Sequence, residues 1–203
     1  VFGIQASHFF AVDIFLNLFV LLVIYFALGL AQGGGKGDAA LLGATFGWAL
    51  ATKASAAPLV LVLFCAFAIR YWRGKGGGWP EVVSLALLTL LCLALAFTLA
   101  QPYAILDWGS FWSRVVAEGE MVRGIRDYPY THQYAGTTPF LYQITQTTHW
   151  AMGPLLGIVA WGGLLFTLWR GFRHRQPSEI LLLAWVVPYL LITGNFYVKF
   201  PRY

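Results

Sequence analysis

The sequence predicts an all-α, polytopic membrane protein: about six hydrophobic transmembrane spans, with an interfacial amphipathic helix inside one long polar loop. Three observations lead there. Hydrophobic residues make up 59% of the 203 residues, against roughly 45 to 50% in soluble domains. Charged residues make up only 10% and the mean hydropathy is +0.69, where a soluble domain carries about 25% charge. The apolar residues also come in runs that cross a hydrocarbon layer of roughly 30 Å at about 1.5 Å per residue. In lipid, a helix satisfies its own backbone hydrogen bonds, so such runs read as helices. Residues 1–203 therefore form a single transmembrane module, with residues 103–150 as its long loop.

The first span covers residues 8–31 and carries one charge, Asp13. Gln32-Gly-Gly-Gly-Lys-Gly-Asp38 ends it as a flexible turn. The next apolar run, residues 39–52, is too short to cross unless the bilayer thins or one end stays submerged in protein. Residues 54–71 follow at once with Pro58 in the first turn, where a missing N–H costs least, so Lys53 marks the bend of a tight helix pair. The basic, glycine-rich connector Arg70-Tyr-Trp-Arg-Gly-Lys-Gly-Gly-Gly-Trp79 leads to a fourth span over residues 80–100, which Gln101-Pro102 stops. A fifth span over residues 152–169, the basic loop Arg170-Gly-Phe-Arg-His-Arg175 and a sixth span over residues 180–193 complete the pattern; Pro188 predicts a kink in the last. Both chain ends read as cut, and the first run reads as a mature span because no basic segment precedes it.

Alternating the spans puts Lys36, Arg70, Arg73, Lys75, Arg170, Arg173 and Arg175 on one side, in three short loops. That side is expected to be cytoplasmic, in a multi-pass protein of the cytoplasmic membrane. The net charge of +5 thus sits in loops and not on one polar face, which excludes a nucleic-acid reader. Cys65 and Cys92 lie in apolar runs and read as small buried hydrophobes. No metal cluster, nucleotide loop or nucleophilic triad is visible, so metal ligands are expected to be none.

Candidate chemistry concentrates on the outer side. In the long loop Phe111, Trp112, Val115, Val116, Val122 and Ile125 recur at helical spacing among Arg114, Glu118, Glu120, Arg123 and Arg126. This helix fits either a scaffold floating at the headgroups or the wall of a lipid-facing cavity. Asp127-Tyr-Pro-Tyr-Thr-His-Gln-Tyr134 follows, offering Tyr130, His132 and Tyr134 as a sugar-binding surface or as an aromatic belt. Asp13 lies inside a span, where a carboxylate needs a cavity or a partner such as Lys53. His8, five residues earlier, reads as an interfacial hydrogen bonder or a site residue. Lys199 and Arg202 flank Pro201 and fit either snorkelling anchors or phosphate ligands.

Taken in order, Ser7-His-Phe-Phe-Ala-Val-Asp13, Ala51-Thr-Lys-Ala-Ser55, Gln101-Pro-Tyr-Ala-Ile-Leu-Asp107, Gln133-Tyr-Ala-Gly-Thr137 and Lys199-Phe-Pro-Arg-Tyr203 resemble the bacterial membrane glycosyltransferases of the GT-C fold. The group is the protein-mannosyltransferase-like and aminoarabinose-transferase-like family. The resemblance implies a donor substrate, a polyprenyl-phosphate-linked sugar, whose sugar moves to an acceptor at the outer membrane face, with membrane lipid as a partner and no further cofactor. It also implies an acidic catalytic loop upstream of this chain, so no residue here is assigned the catalytic base, and residues 1–203 alone are expected to be inactive. By the same resemblance Asp13 matches a second acidic position, and Lys53 faces the donor side of a cavity. Two other classes stay open: a transporter, suggested by the submerged bend and the intramembrane Asp, and a non-catalytic structural subunit in which Asp13 and Lys53 merely pair.

Overall fold

The structure, a computed structural model, describes residues 12–74 and 77–199. Those residues form helices joined by turns and loops, without a strand. Helix α1 spans Val12–Ala31, α2 Lys36–Thr52, and α3 Val60–Trp72, the last entered through a 3-10 turn at Ala54–Leu59. Helix α4 spans Trp79–Ala100, the short α5 Tyr103–Leu106, and α6 Trp108–Val122. A 3-10 turn at Pro129–Tyr134, α7 at Leu141–Gln146 and a π turn at Thr147–Ala151 complete the long loop before α8, Pro154–His174, and α9, Pro177–Gly194. Proline in the first turn starts α4, α8 and α9, where its missing N–H lacks an intrahelical partner anyway. Helix α9 continues through Pro188.

Among the described residues five helical segments are long and apolar enough to cross a membrane: α1, Ala54–Trp72, α4, α8 and α9. Helix α2, with 17 residues, reaches only about 26 Å. It is nonetheless among the most enclosed, packed between α1 and α4. Its close approach to α4 depends on two glycines one turn apart. A Cβ on Gly43 would stand 2.1 Å from the Thr89 carbonyl oxygen, and one on Gly47 would stand 2.5 Å from that of Leu93. With no side chain there, the backbones touch, and Thr89 donates its hydroxyl across the interface to the Ala39 carbonyl at 3.0 Å. Gly43-x-x-x-Gly47 is thus a small-residue packing face of the kind membrane helices use in place of a hydrophobic driving force.

Helix α1 buries Leu16, Val20, Val23, Ala27 and Leu30, alternating steps of four and three that keep one face on the core. That face meets α2, α3 and, through Leu181, α9. Helix α8 is different: Leu155, Ile158, Val159, Leu165 and Phe172 are exposed and only Gly157 is buried. Such a surface is stable facing lipid.

Each end of the bundle has its own fastening. At the end carrying the basic loops, Arg70 was expected in a connector but lies in the last turn of α3, only 2% exposed. Its guanidinium donates to the carbonyls of Leu30 at 3.0 Å and Gly34 at 2.6 Å, and to Glu81 Oε1 at 2.8 Å. It therefore ties the exit of α1 to the start of α4. Arg73 donates to the Arg175 carbonyl at 3.4 Å, which puts the two basic connectors side by side. The opposite end holds Asp13, Lys53, the long loop and the exit of α9.

Candidate functional site

At that end the chain brings together residues far apart in sequence. The bend after α2 leaves Lys53 extended, at φ −159°, with its ammonium 2.9 Å from Asp13 Oδ1. The side chains are 18% and 14% exposed. A carboxylate and an ammonium so withdrawn from water hold each other in place. The short helix α2 therefore ends submerged in protein. Behind the pair the buried Ser55 hydroxyl completes no well-formed hydrogen bond. It sits beside the Tyr189 phenol of α9, which also lies in the field of Asp13.

Past α9 the chain folds back over the long loop. The amides of Tyr197 and Val198 donate to the Val122 carbonyl at 2.9 and 3.2 Å, closing the end of α6. The Tyr197 ring covers Gly124, at φ +74°, where a Cβ would come within 2.8 Å of the ring. Lys199 is thereby held 3% exposed, donating to Thr137 Oγ1 at 2.8 Å and to the Tyr197 carbonyl at 3.4 Å. No carboxylate pairs with it among the described residues, and burial pushes its ammonium pKa down. An ammonium whose partners are a hydroxyl and a carbonyl retains unmet demand for an anion.

Between α8, α9 and α7 runs a largely apolar groove of about 530 Å³. Phe140, Gln143, Thr147, Trp161, Tyr189 and Thr193 are among its walls. Its head is built under constraint. Phe140 takes φ +60°, unusual for a residue with a side chain, and is held there by its amide bond to the Gly194 carbonyl at 2.9 Å. The π turn that follows places Thr148 to accept from Trp161 Nε1 at 2.8 Å. Thr137, the partner of Lys199, is three residues before Phe140, so the groove head and the ammonium belong to one folded segment.

Tyr130 is half exposed and donates to Met121 Sδ at 3.2 Å, with its ring stacked on Tyr128. His132 is 2.6 Å from Asp127 Oδ1, and both side chains are exposed. Tyr134 is 4% exposed and packs edge-on against Tyr142. Arg126 beside them is held above its ordinary pKa by Tyr128 and Glu120. Asp107 caps α6 by accepting from the Ser110 amide at 3.2 Å, and the Ser110 hydrogen bonds hold its carboxyl below the usual range. His8 and Arg202 lie outside the described residues. Among the described residues no three of His, Cys, Asp and Glu converge as metal ligands, and Cys65 and Cys92 are free, half-buried thiols.

No family model, curated protein or solved structure matches the chain. Its reading therefore rests on residues and geometry. Asp13 and Lys53 meet, and the Gln133–Thr137 motif meets the Lys199 motif through Thr137 and Lys199. Sequence reasoning did not find Tyr189, and it held Thr137 only as the last residue of a motif, with no role assigned. A tyrosine near a span end is ordinary belt composition, and a threonine in a polar loop carries no signal of its own. Gly43-x-x-x-Gly47 was visible in the sequence as a spacing within an apolar run.

Proposed function

We propose that this chain is part of a membrane glycosyltransferase that moves a sugar from a polyprenyl-phosphate carrier to an acceptor at the outer face of the cytoplasmic membrane. In this reading α2 is a sixth, submerged span, the basic connectors are cytoplasmic, and α6 lies in the outer interface with Trp108 and Trp112 toward the headgroups. The supporting observation is the buried Lys199 ammonium bound to Thr137, three residues before Phe140 of the apolar groove. A lipid-linked donor needs that combination, a cation for the phosphate and an apolar wall for the chain. In the transfer, the bond from the sugar C1 to the phosphate oxygen breaks and one from C1 to the acceptor oxygen forms. The C1–O bonding pair stays with the departing phosphate, on which charge grows, and the acceptor's proton ends on that phosphate. An ammonium already in place, in a site that excludes water, stabilises that charge without reorganising.

The Asp13–Lys53 pair favours a second reading, a structural membrane subunit, because two charges satisfied by each other need no ligand. One experiment separates the two. The complete polypeptide carrying these residues is placed in proteoliposomes, and transfer from a radiolabelled polyprenyl-phosphate sugar is followed. Lys199→Met is expected to lower donor use at least about tenfold, the worth of one charge-assisted hydrogen bond. Absence of transfer by the wild-type polypeptide with any such donor, or full transfer by the variant, removes the transferase reading.

A further inference from the structure

Tyr189 belongs both to the groove and to the cluster behind it. It lines the groove alongside Phe140 and Thr193, and its phenol adjoins Ser55 within the field of Asp13. Its ring is fixed by Trp185, with centroids 4.7 Å apart. Two of the other groove hydroxyls are committed to their own helices. Thr193 donates to the Tyr189 carbonyl and Thr167 to the Gly163 carbonyl, each at 2.8 Å along its own helix. Gln143 is buried and engaged within the protein. The Tyr189 phenol faces the Ser55 hydroxyl, which completes no well-formed bond of its own. Tyr189 thus sets a phenol in a channel walled mainly by apolar side chains, with Ser55 beside it.

The charge behind that phenol decides what it takes. Asp13 and Lys53 neutralise each other at 2.9 Å, so the field reaching the groove through Tyr189 is that of a dipole and not of a cation. An anion gains little there, whereas a neutral hydroxylated group gains both a donor and an acceptor. We infer that Tyr189 is the specificity-determining residue of the groove, hydrogen-bonding an uncharged, polyhydroxylated headgroup of an amphiphile, with Ser55 orienting the phenol from behind. This deepens the transferase reading and rests on it. Tyr189 reads the sugar, and Lys199 holds the phosphate.

The probes are octyl glucoside, octanol and octyl phosphate, each below its micellar concentration, titrated into the protein in nanodiscs with tryptophan fluorescence as the signal. Trp185 and Trp161 report because one stacks on Tyr189 and the other lines the groove. Wild-type protein is expected to bind octyl glucoside about tenfold more tightly than octanol, the worth of one to two hydrogen bonds. Tyr189→Phe keeps the ring and removes only the hydroxyl; it should bring the glucoside to the octanol affinity and leave octanol unchanged. Ser55→Ala should lose part of the same preference, and both variants should melt within a few degrees of wild type. A glucoside preference that survives Tyr189→Phe overturns the inference. If it survives while Lys199→Met still weakens octyl phosphate, the specificity assignment falls and the donor site stands. If none of the three probes binds wild-type protein, the groove is no ligand site and both fall.

Discussion

The ion pair between Asp13 and Lys53 gives the sharpest quantitative test. The two groups are 2.9 Å apart, with side chains 14% and 18% exposed. Removing one partner of a fully buried pair costs about 3 to 5 kcal/mol, because a charge is left without compensation. The residual exposure lets water reach the survivor, so about 2 to 4 kcal/mol is expected for Lys53→Met. Asp13→Asn should cost less, about 1 to 3 kcal/mol, because Lys53 has a further interaction of its own. The double variant removes both charges together and should be no worse than Lys53→Met. That implies a coupling of about 2 kcal/mol. The assay is reversible unfolding in mixed micelles, followed by far-ultraviolet circular dichroism across the four-membered cycle. Additivity within about 0.5 kcal/mol would falsify the pairing argument. The swapped pair, Asp13→Lys with Lys53→Asp, adds a functional arm. Recovery of stability without recovery of the proposed sugar transfer marks the pair as more than a clamp, and recovery of both marks it as a clamp alone.

Other consequences are equally open to measurement. Gly43→Ala pushes a methyl to 2.1 Å from the Thr89 carbonyl oxygen; α2 and α4 must part by about 1 Å, with about 2 to 4 kcal/mol lost from packing and the Thr89–Ala39 bond. Wild-type stability for that variant would show that the helices are not in backbone contact. Arg70→Lys replaces the fork of two nitrogens, which spans two carbonyls and Glu81, by a single ammonium nitrogen on a different stem, and about 2 to 3 kcal/mol should be lost in the same unfolding assay. Lys199 has its ammonium pKa lowered from 10.5 by burial, so it destabilises the fold fully while protonated and the cost is relieved as pH rises through the lowered value toward 10.5. Wild-type stability relative to Lys199→Met should therefore improve over that alkaline window, and a difference independent of pH there would contradict a desolvated ammonium. Finally, single cysteines at Gly76 and Gly136, in a background lacking Cys65 and Cys92, should be labelled from opposite sides of the membrane; labelling of both from outside would reverse the arrangement of the loops.

Much of the architecture was legible in the residues because lipid imposes a simple code. A span must be long and apolar, and the starts of α4, α8 and α9 are announced by proline. The run of residues 39–52 also disclosed its own anomaly, being too short to cross, and the observed helix of 17 residues keeps that shortness. Its end is submerged because Lys53 meets a carboxylate, which the depth of Asp13 in its span allowed for but did not establish. The Gly43 and Gly47 spacing lay in plain view as well, though which helix would press against it did not.

What the sequence determined by itself is the class of molecule, a helical membrane protein, since hydropathy and run length are local sums that need no knowledge of neighbours. Tertiary structure alone decided which charges are free and which are used. Arg70 reads as one more loop cation, yet it is buried because the turn after α1 presents two carbonyls at its guanidinium. Lys199 reads as a snorkelling anchor or a phosphate ligand, and its burial follows only because the segment carrying it folds under a loop whose Thr137 lies 62 positions earlier. Tyr189 has no distinguishing signal until α9 sets it between a groove and an ion pair from two other helices. Each of these roles depends on the energy of a charge or hydroxyl out of water. That energy is set by what the rest of the chain places within about 3 Å of it, and residue type and spacing do not carry it.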